Sequence, residues 1–180
     1  MKSNAKSIER VYHLNLLPEH ISKDILLVGD QARVSEISKH FDSIEYQIAN
    51  REFITHTGYI GEKRISVIST GIGTDNIDIV LNELDALVNT DLDSSQELKE
   101  KTSLNLVRLG TSGTIQKEIN INSIVVSSYG LGIDNLMYFY ANNQFDHEIQ
   151  NAIDQQLHWP ACLSKPYVYA ANKDLLNNIK

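Results

Sequence analysis

One cysteine, Cys162, stands in 180 residues, so the chain can build neither an intramolecular disulfide framework nor a cysteine-based zinc site. No apolar run approaches the roughly 18 residues of a membrane span. The stretch Met1-Lys2-Ser3-Asn4-Ala5-Lys6-Ser7 lacks the apolar core of a secretory leader. A soluble, cytoplasmic protein is therefore expected. Positive charge is scarce: 16 Lys plus Arg face 23 Asp plus Glu, a formal net charge of −7. That balance argues against general nucleic-acid binding, which calls for a basic stripe. Only five arginines are present: Arg10, Arg33, Arg51, Arg64 and Arg108. Any anion must be held by a few of these against an unfavourable overall field. Glycine is unevenly spread, with none after Gly132, so the tight turns that let backbone approach a ligand fall earlier in the chain.

What is present is an alternation of strands and helices. Ile25–Val28 is an apolar run entering the turn Gly29-Asp30, the pattern of a buried strand. Val34, Ile37 and Phe41 recur at helical spacing. Residues 46–53 and 55–59 read as pairing strands, 58–63 as a hairpin turn, and 64–69 as the next strand. Ile77, Val80, Leu81, Leu84, Leu87 and Val88 give the strongest helical signal, with Asp75 expected as its cap. Residues 91–102 read as a polar surface excursion and 104–109 as a strand. One or two strands are expected in 119–128, a helix in 147–157, a strand in 167–170 and the start of a helix at 173. Hydrophobic residues at 42% and charged ones at 22% are globular composition. No repeat or proline-rich linker divides the chain, so one α/β domain over residues 1–180 is expected, with a largely parallel or mixed sheet.

Three strand ends share one design: Val28-Gly29-Asp30-Gln31-Ala32-Arg33, Ser69-Thr70-Gly71-Ile72-Gly73 and Arg108-Leu109-Gly110-Thr111-Ser112-Gly113. In open α/β sheets, ligands gather where strands end and helix amide groups point outward. Glycines let amides approach an anion, and arginine adds a planar donor fork suited to phosphate. Taken singly, each is an ordinary turn, and Arg33 a solvated first-turn residue. Arg108 lies inside an apolar strand, where a buried guanidinium requires a partner or an anion. Gly71-Ile72-Gly73 lacks the third glycine of a dinucleotide fingerprint, and no acidic ribose ligand follows the first strand, which disfavours a nucleotide-dependent oxidoreductase.

Together with Asn50-Arg51-Glu52-Phe53 and the continuation Thr114-Ile115-Gln116, these motifs resemble the nucleoside phosphorylase family, closest to its uridine phosphorylase branch. The resemblance covers most of residues 11–130. It implies a three-layer α/β/α fold with a central mixed β-sheet, here incomplete at the carboxyl end. It also implies reversible phosphorolysis of a nucleoside to free base and pentose 1-phosphate. Inorganic phosphate is the co-substrate, and no metal or organic cofactor is implied. By the resemblance, Gly29, Arg33, Arg108 and Thr111 bind phosphate, and Arg33, Arg108 and Thr111 carry the catalytic role. Arg51 reaches the phosphate, and His13 the ribose 5′-hydroxyl, from the neighbouring subunit of a homodimer or larger assembly. Thr111 and Gly113 line the nucleoside pocket. No nucleic-acid or membrane partner is implied.

Two departures matter. The family's glycine-proline-serine is replaced by Thr74-Asp75-Asn76. The Met-Glu element that holds ribose in the family is absent, since the two methionines precede Lys2 and Tyr138. Phosphate-holding motifs thus stand without their sugar- and base-holding counterparts, and the chain by itself is expected to have little or no activity. Two alternatives stay open: a nucleosidase that uses water in place of phosphate, and a non-catalytic remnant that binds phosphate or nucleotide. The nucleobase, and ribose against deoxyribose, are left open.

Overall fold

The computed structural model describes residues 10–141 and 145–179. The chain divides into two compact units, Met1–Ser112 and Gly113–Lys180.

The first unit is built on a five-stranded mixed sheet. Its strands are β1 (Asp24–Val28), β2 (Ser43–Asn50), β3 (Phe53–Ile60), β4 (Lys63–Ser69) and, after a two-residue β5 (Thr90–Asp91) and β6 (Gln96–Glu97), β7 (Asn105–Leu109). The order is β2-β3-β4-β1-β7. The hairpins join β2, β3 and β4 antiparallel, while β4, β1 and β7 run parallel. Helix α1 (Ala32–Ser38) follows β1, and α2 (Thr74–Asn89) follows β4.

Period-two alternation along the buried strands assigns their side chains to two clusters. Ile25, Leu27, Ile68 and Phe53 pack with Val80, Leu84 and Leu87 of α2. Val28, Val67 and the half-buried Leu26 and Ile54 pack with Val34 and Ile37 of α1. One helix therefore covers each face, and the continuous apolar runs of β1 and β4 reflect burial on both sides. Each fully buried aliphatic side chain contributes roughly 1.5–3 kcal/mol of transfer free energy.

Three local expectations are corrected. The hairpin turn lies at Gly61-Glu62, and Gly58 belongs to β3. A β-carbon on Gly58 would sit 2.0 Å from the Ser43 carbonyl oxygen, beside the register shift between Ile44 and Tyr46. Asp75 does not cap α2. The N-cap is Gly73, at φ 101°, without a side-chain hydrogen bond. No regular strand forms in 119–128. Its apolar residues face solvent, with Ile121 and Ile124 each 94% exposed.

The second unit pairs β8 (Tyr129–Gly132) antiparallel with β9 (Tyr167–Ala170). Helix α3 (His147–Gln156) is capped by Asp146, whose Oδ1 accepts from the Ile149 amide at 3.1 Å. Helix α4 (Lys173–Ile179) begins after Asn172, whose Oδ1 accepts from the amides of Asp174 and Leu175. Rings of Tyr138, Phe145 and Tyr169 pack edge-on or stacked around the buried Tyr167.

Candidate active site

Parallel pairing of β4, β1 and β7 puts their carboxyl ends side by side. Val28 is in register with Ser69 on one flank and with Leu109 on the other. The three glycine turns read from the sequence are thereby brought together at one end of the sheet. There they line a cleft of about 640 Å³ with Gly29, Arg33, Arg108 and Thr111 in its walls.

Arg108 is exposed at the end of β7, not buried as its apolar neighbours suggested. The reason is topology: β7 lies at the edge of the five-stranded sheet, paired only with β1, whereas the Leu27 opposite Arg108 is buried between β4 and β7. Its Nη2 lies 3.4 Å from where a β-carbon on Gly29 would be, and its Nη1 3.1 Å from the equivalent point on Gly110. The guanidinium therefore spans the two glycine turns. Arg33 enters from the first turn of α1, which Asp30 organises by accepting the Ala32 amide at 2.9 Å. Among the described residues, neither guanidinium has a hydrogen-bond or ion-pair partner. Two unpaired cations in one cleft of an acidic chain form a site shaped for an anion.

Ser69 and Thr70 hold the frame. The Ser69 hydroxyl donates to the Glu52 carbonyl and accepts the Ile54 amide, each at 2.7 Å, pinning the β2–β3 turn to the end of β4. Thr70, fully buried, donates its amide to the Val28 carbonyl at 2.7 Å. Gly71, at φ 70°, brings Glu52 and Asn76 into the cleft wall. Glu52, Asn76, Asp30 and Gln31 are lining residues beyond those assigned from the sequence. The signal for Asn76 was the replaced glycine-proline-serine segment, in which it is the third residue.

Arg51 and His13 do not line this cleft. Arg51 occupies the β2–β3 turn at φ 53°, with its guanidinium 5.3 Å from the Tyr12 ring centre and its Nη2 donating to the Tyr12 hydroxyl at 3.3 Å. His13 adjoins Tyr12 edge-on, its carbonyl accepts from Asn50 Nδ2 at 2.7 Å, and its ring is held by Glu83 of α2. The two residues assigned to a neighbouring subunit thus share a second cluster. Gly113 is the first residue of the second unit.

The sequence matches the Phosphorylase superfamily over residues 23–179, and the chain belongs to that family. A uridine phosphorylase of Haemophilus influenzae is 32% identical over 132 residues, 72% of this chain and 47% of that protein. A DeoD-type purine nucleoside phosphorylase of Thermoanaerobacter is 32% identical over 116 residues, 64% of this chain and 44% of its own. A Trypanosoma brucei nucleoside phosphorylase described as showing uridine phosphorylase activity superposes with a TM-score of 0.82 at 28% identity, covering 94% of this chain and 58% of that one. The chain spans about half the length of the curated relatives it matches.

Proposed function

We propose that the whole protein is a nucleoside phosphorylase of the uridine phosphorylase type, a pentosyltransferase whose cleft at the ends of β1, β4 and β7 takes inorganic phosphate. The observation that carries this is the pair of unpartnered guanidinium groups, Arg33 and Arg108, facing one cleft beside the Gly29 and Gly110 turns. Residues 1–180 belong to one phosphorylase domain in this scheme.

Arg33, Arg108, the Thr111 hydroxyl and the Gly29 amide would hold the phosphate at the anomeric carbon. As the glycosidic bond lengthens, that carbon becomes oxocarbenium-like, as in glycoside hydrolysis. The phosphate is both the nucleophile and the negative charge that stabilises the cation, so the arginines act by positioning it. The products are the free base and a pentose 1-phosphate. Arg51 and His13 would enter a partner's site in a homodimer, and their clustering on one surface supports joint delivery. Thr111 and Gly113 would face the nucleoside. No cofactor beyond phosphate is needed for this chemistry, and a cytoplasmic location suits a salvage enzyme. Among the described residues no helix is long and apolar enough to cross a membrane.

Hydrolytic cleavage is disfavoured, because water needs no cationic cradle. Uracil release from uridine, followed with and without phosphate, tests the assignment. Turnover that requires phosphate supports it, and equal release without phosphate indicates a nucleosidase. Phosphate binding without release would mark the chain as a binding remnant.

A further inference from the structure

Glu83 stands on the buried stripe of α2, beside Val80, Leu84 and Leu87, where a carboxylate is costly unless its lone pairs are satisfied. It is 15% exposed and meets three donors from a single dipeptide. Its Oε1 accepts the His13 amide at 2.8 Å and lies 2.6 Å from His13 Nδ1, while its Oε2 accepts the Leu14 amide at 2.8 Å. Asn50 fixes the same residue from the other side, donating to the His13 carbonyl. His13 Nε2 has no partner among the described residues.

A carboxylate accepts but does not donate, so its contact with Nδ1 requires a proton on that nitrogen. In the neutral ring this leaves Nε2 as a bare acceptor. We propose that Glu83 is a positioning residue that locks His13 in its Nδ1–H tautomer, aiming Nε2 outward as the acceptor for a nucleoside's 5′-hydroxyl. The substrate half of this statement rests on the phosphorolytic assignment above. The tautomer half does not. Neither Tyr12 nor Asn50 can replace Glu83, since neither contacts the His13 ring through a hydrogen bond.

The test uses the full 180-residue chain. Nitrogen-15 spectra of the neutral His13 ring should show the proton on Nδ1 in the wild type and a shift toward Nε2–H in Glu83→Gln. The wild-type spectrum decides even if the variant fails to fold. Affinities for uridine and 5′-deoxyuridine, measured with phosphate present, give the second readout. Glu83→Gln should reduce the preference for uridine about tenfold, the scale of one hydrogen bond, leaving 5′-deoxyuridine binding nearly unchanged. A purely structural role would weaken both nucleosides alike. A wild-type proton on Nε2, or an unchanged tautomer in Glu83→Gln, overturns the proposal. The expected tautomers with no wild-type preference between the nucleosides would overturn the substrate role of His13, and Glu83's part in it, while leaving the lock itself standing.

Discussion

The five arginines of this acidic chain divide by what their guanidinium groups touch. Arg10 donates to the Asn15 carbonyl, and Arg64 binds Glu45 and the carbonyls of Glu19 and Ile21, so both are structural. Arg51 rests on Tyr12. Arg33 and Arg108 are unpartnered among the described residues and share a cleft. Replacing either with Ala should weaken phosphate binding roughly 10- to 100-fold, the scale of charge-assisted hydrogen bonds, while leaving the unfolding midpoint almost unchanged. Calorimetry paired with thermal melts checks both halves. Two histidines set the pH dependence of stability. Burial holds His20 and His56 below the ordinary histidine value of 6.5; His20 Nδ1 accepts the Leu17 amide, and His56 Nδ1 meets the Ser38 hydroxyl. The unfolded chain therefore binds protons first on acidification. Their contribution is fully present above pH 6.5 and is lost as the pH falls through the lower folded values. Asp24 acts in a more acidic window. The Asn105 amide, reinforced by Lys63, holds its carboxyl below the usual value of 3.8, so its contribution is lost only as the pH falls below that value and through the folded one. Melts from pH 8 to 5 should show a decline beginning near the histidine range, and a midpoint that rises on acidification would contradict it.

At the scale of elements, what was legible in the sequence follows from periodicity. Strands β1, β4 and β7 and helix α2 carry strong apolar patterns, and the structure forms all four. Leu84, 1% exposed under α2, should cost about 2–5 kcal/mol when cut to Ala, measured by denaturant unfolding. Gly58→Ala should cost about 1–3 kcal/mol, because the new methyl meets the Ser43 carbonyl oxygen on the paired strand. That contact lies between residues far apart in sequence, which is why Gly58 reads as a turn residue from local pattern alone. Asp75 is no cap because the helix starts at Thr74, off the positive φ of Gly73, which places Asp75 inside its first turn. Strand propensity in 119–128 was real, but a strand also requires a hydrogen-bonding neighbour, which periodicity does not report. The cleft was partly legible. Its glycine turns and arginines are visible as motifs, whereas the approach of Glu52 and Asn76 to Gly71, which has no room for a β-carbon there, is a contact between segments that periodicity does not report. Glu83 left one trace, an acid on an otherwise apolar helical stripe.

For the whole molecule, exposed apolar surface and the intersubunit roles proposed for Arg51 and His13 both predict self-association. Ile121, Ile124 and Val125 face solvent in a stretch without regular strand pairing, and such segments promote aggregation. Ile124→Lys should raise the solubility limit of the chain without changing its phosphate affinity, as turbidity and calorimetry would show. Sedimentation should find a dimer or larger assembly, whereas a monodisperse monomer would contradict the trans roles of Arg51 and His13. The proposed phosphorolysis depends first on the proposed anion site, and that site can be probed without any turnover. Titrating inorganic phosphate into the 180-residue chain by calorimetry should give saturable binding that Arg33→Ala and Arg108→Ala each weaken at least about tenfold. No binding by the wild type, or binding that survives both substitutions unchanged, would contradict the assignment of the cleft.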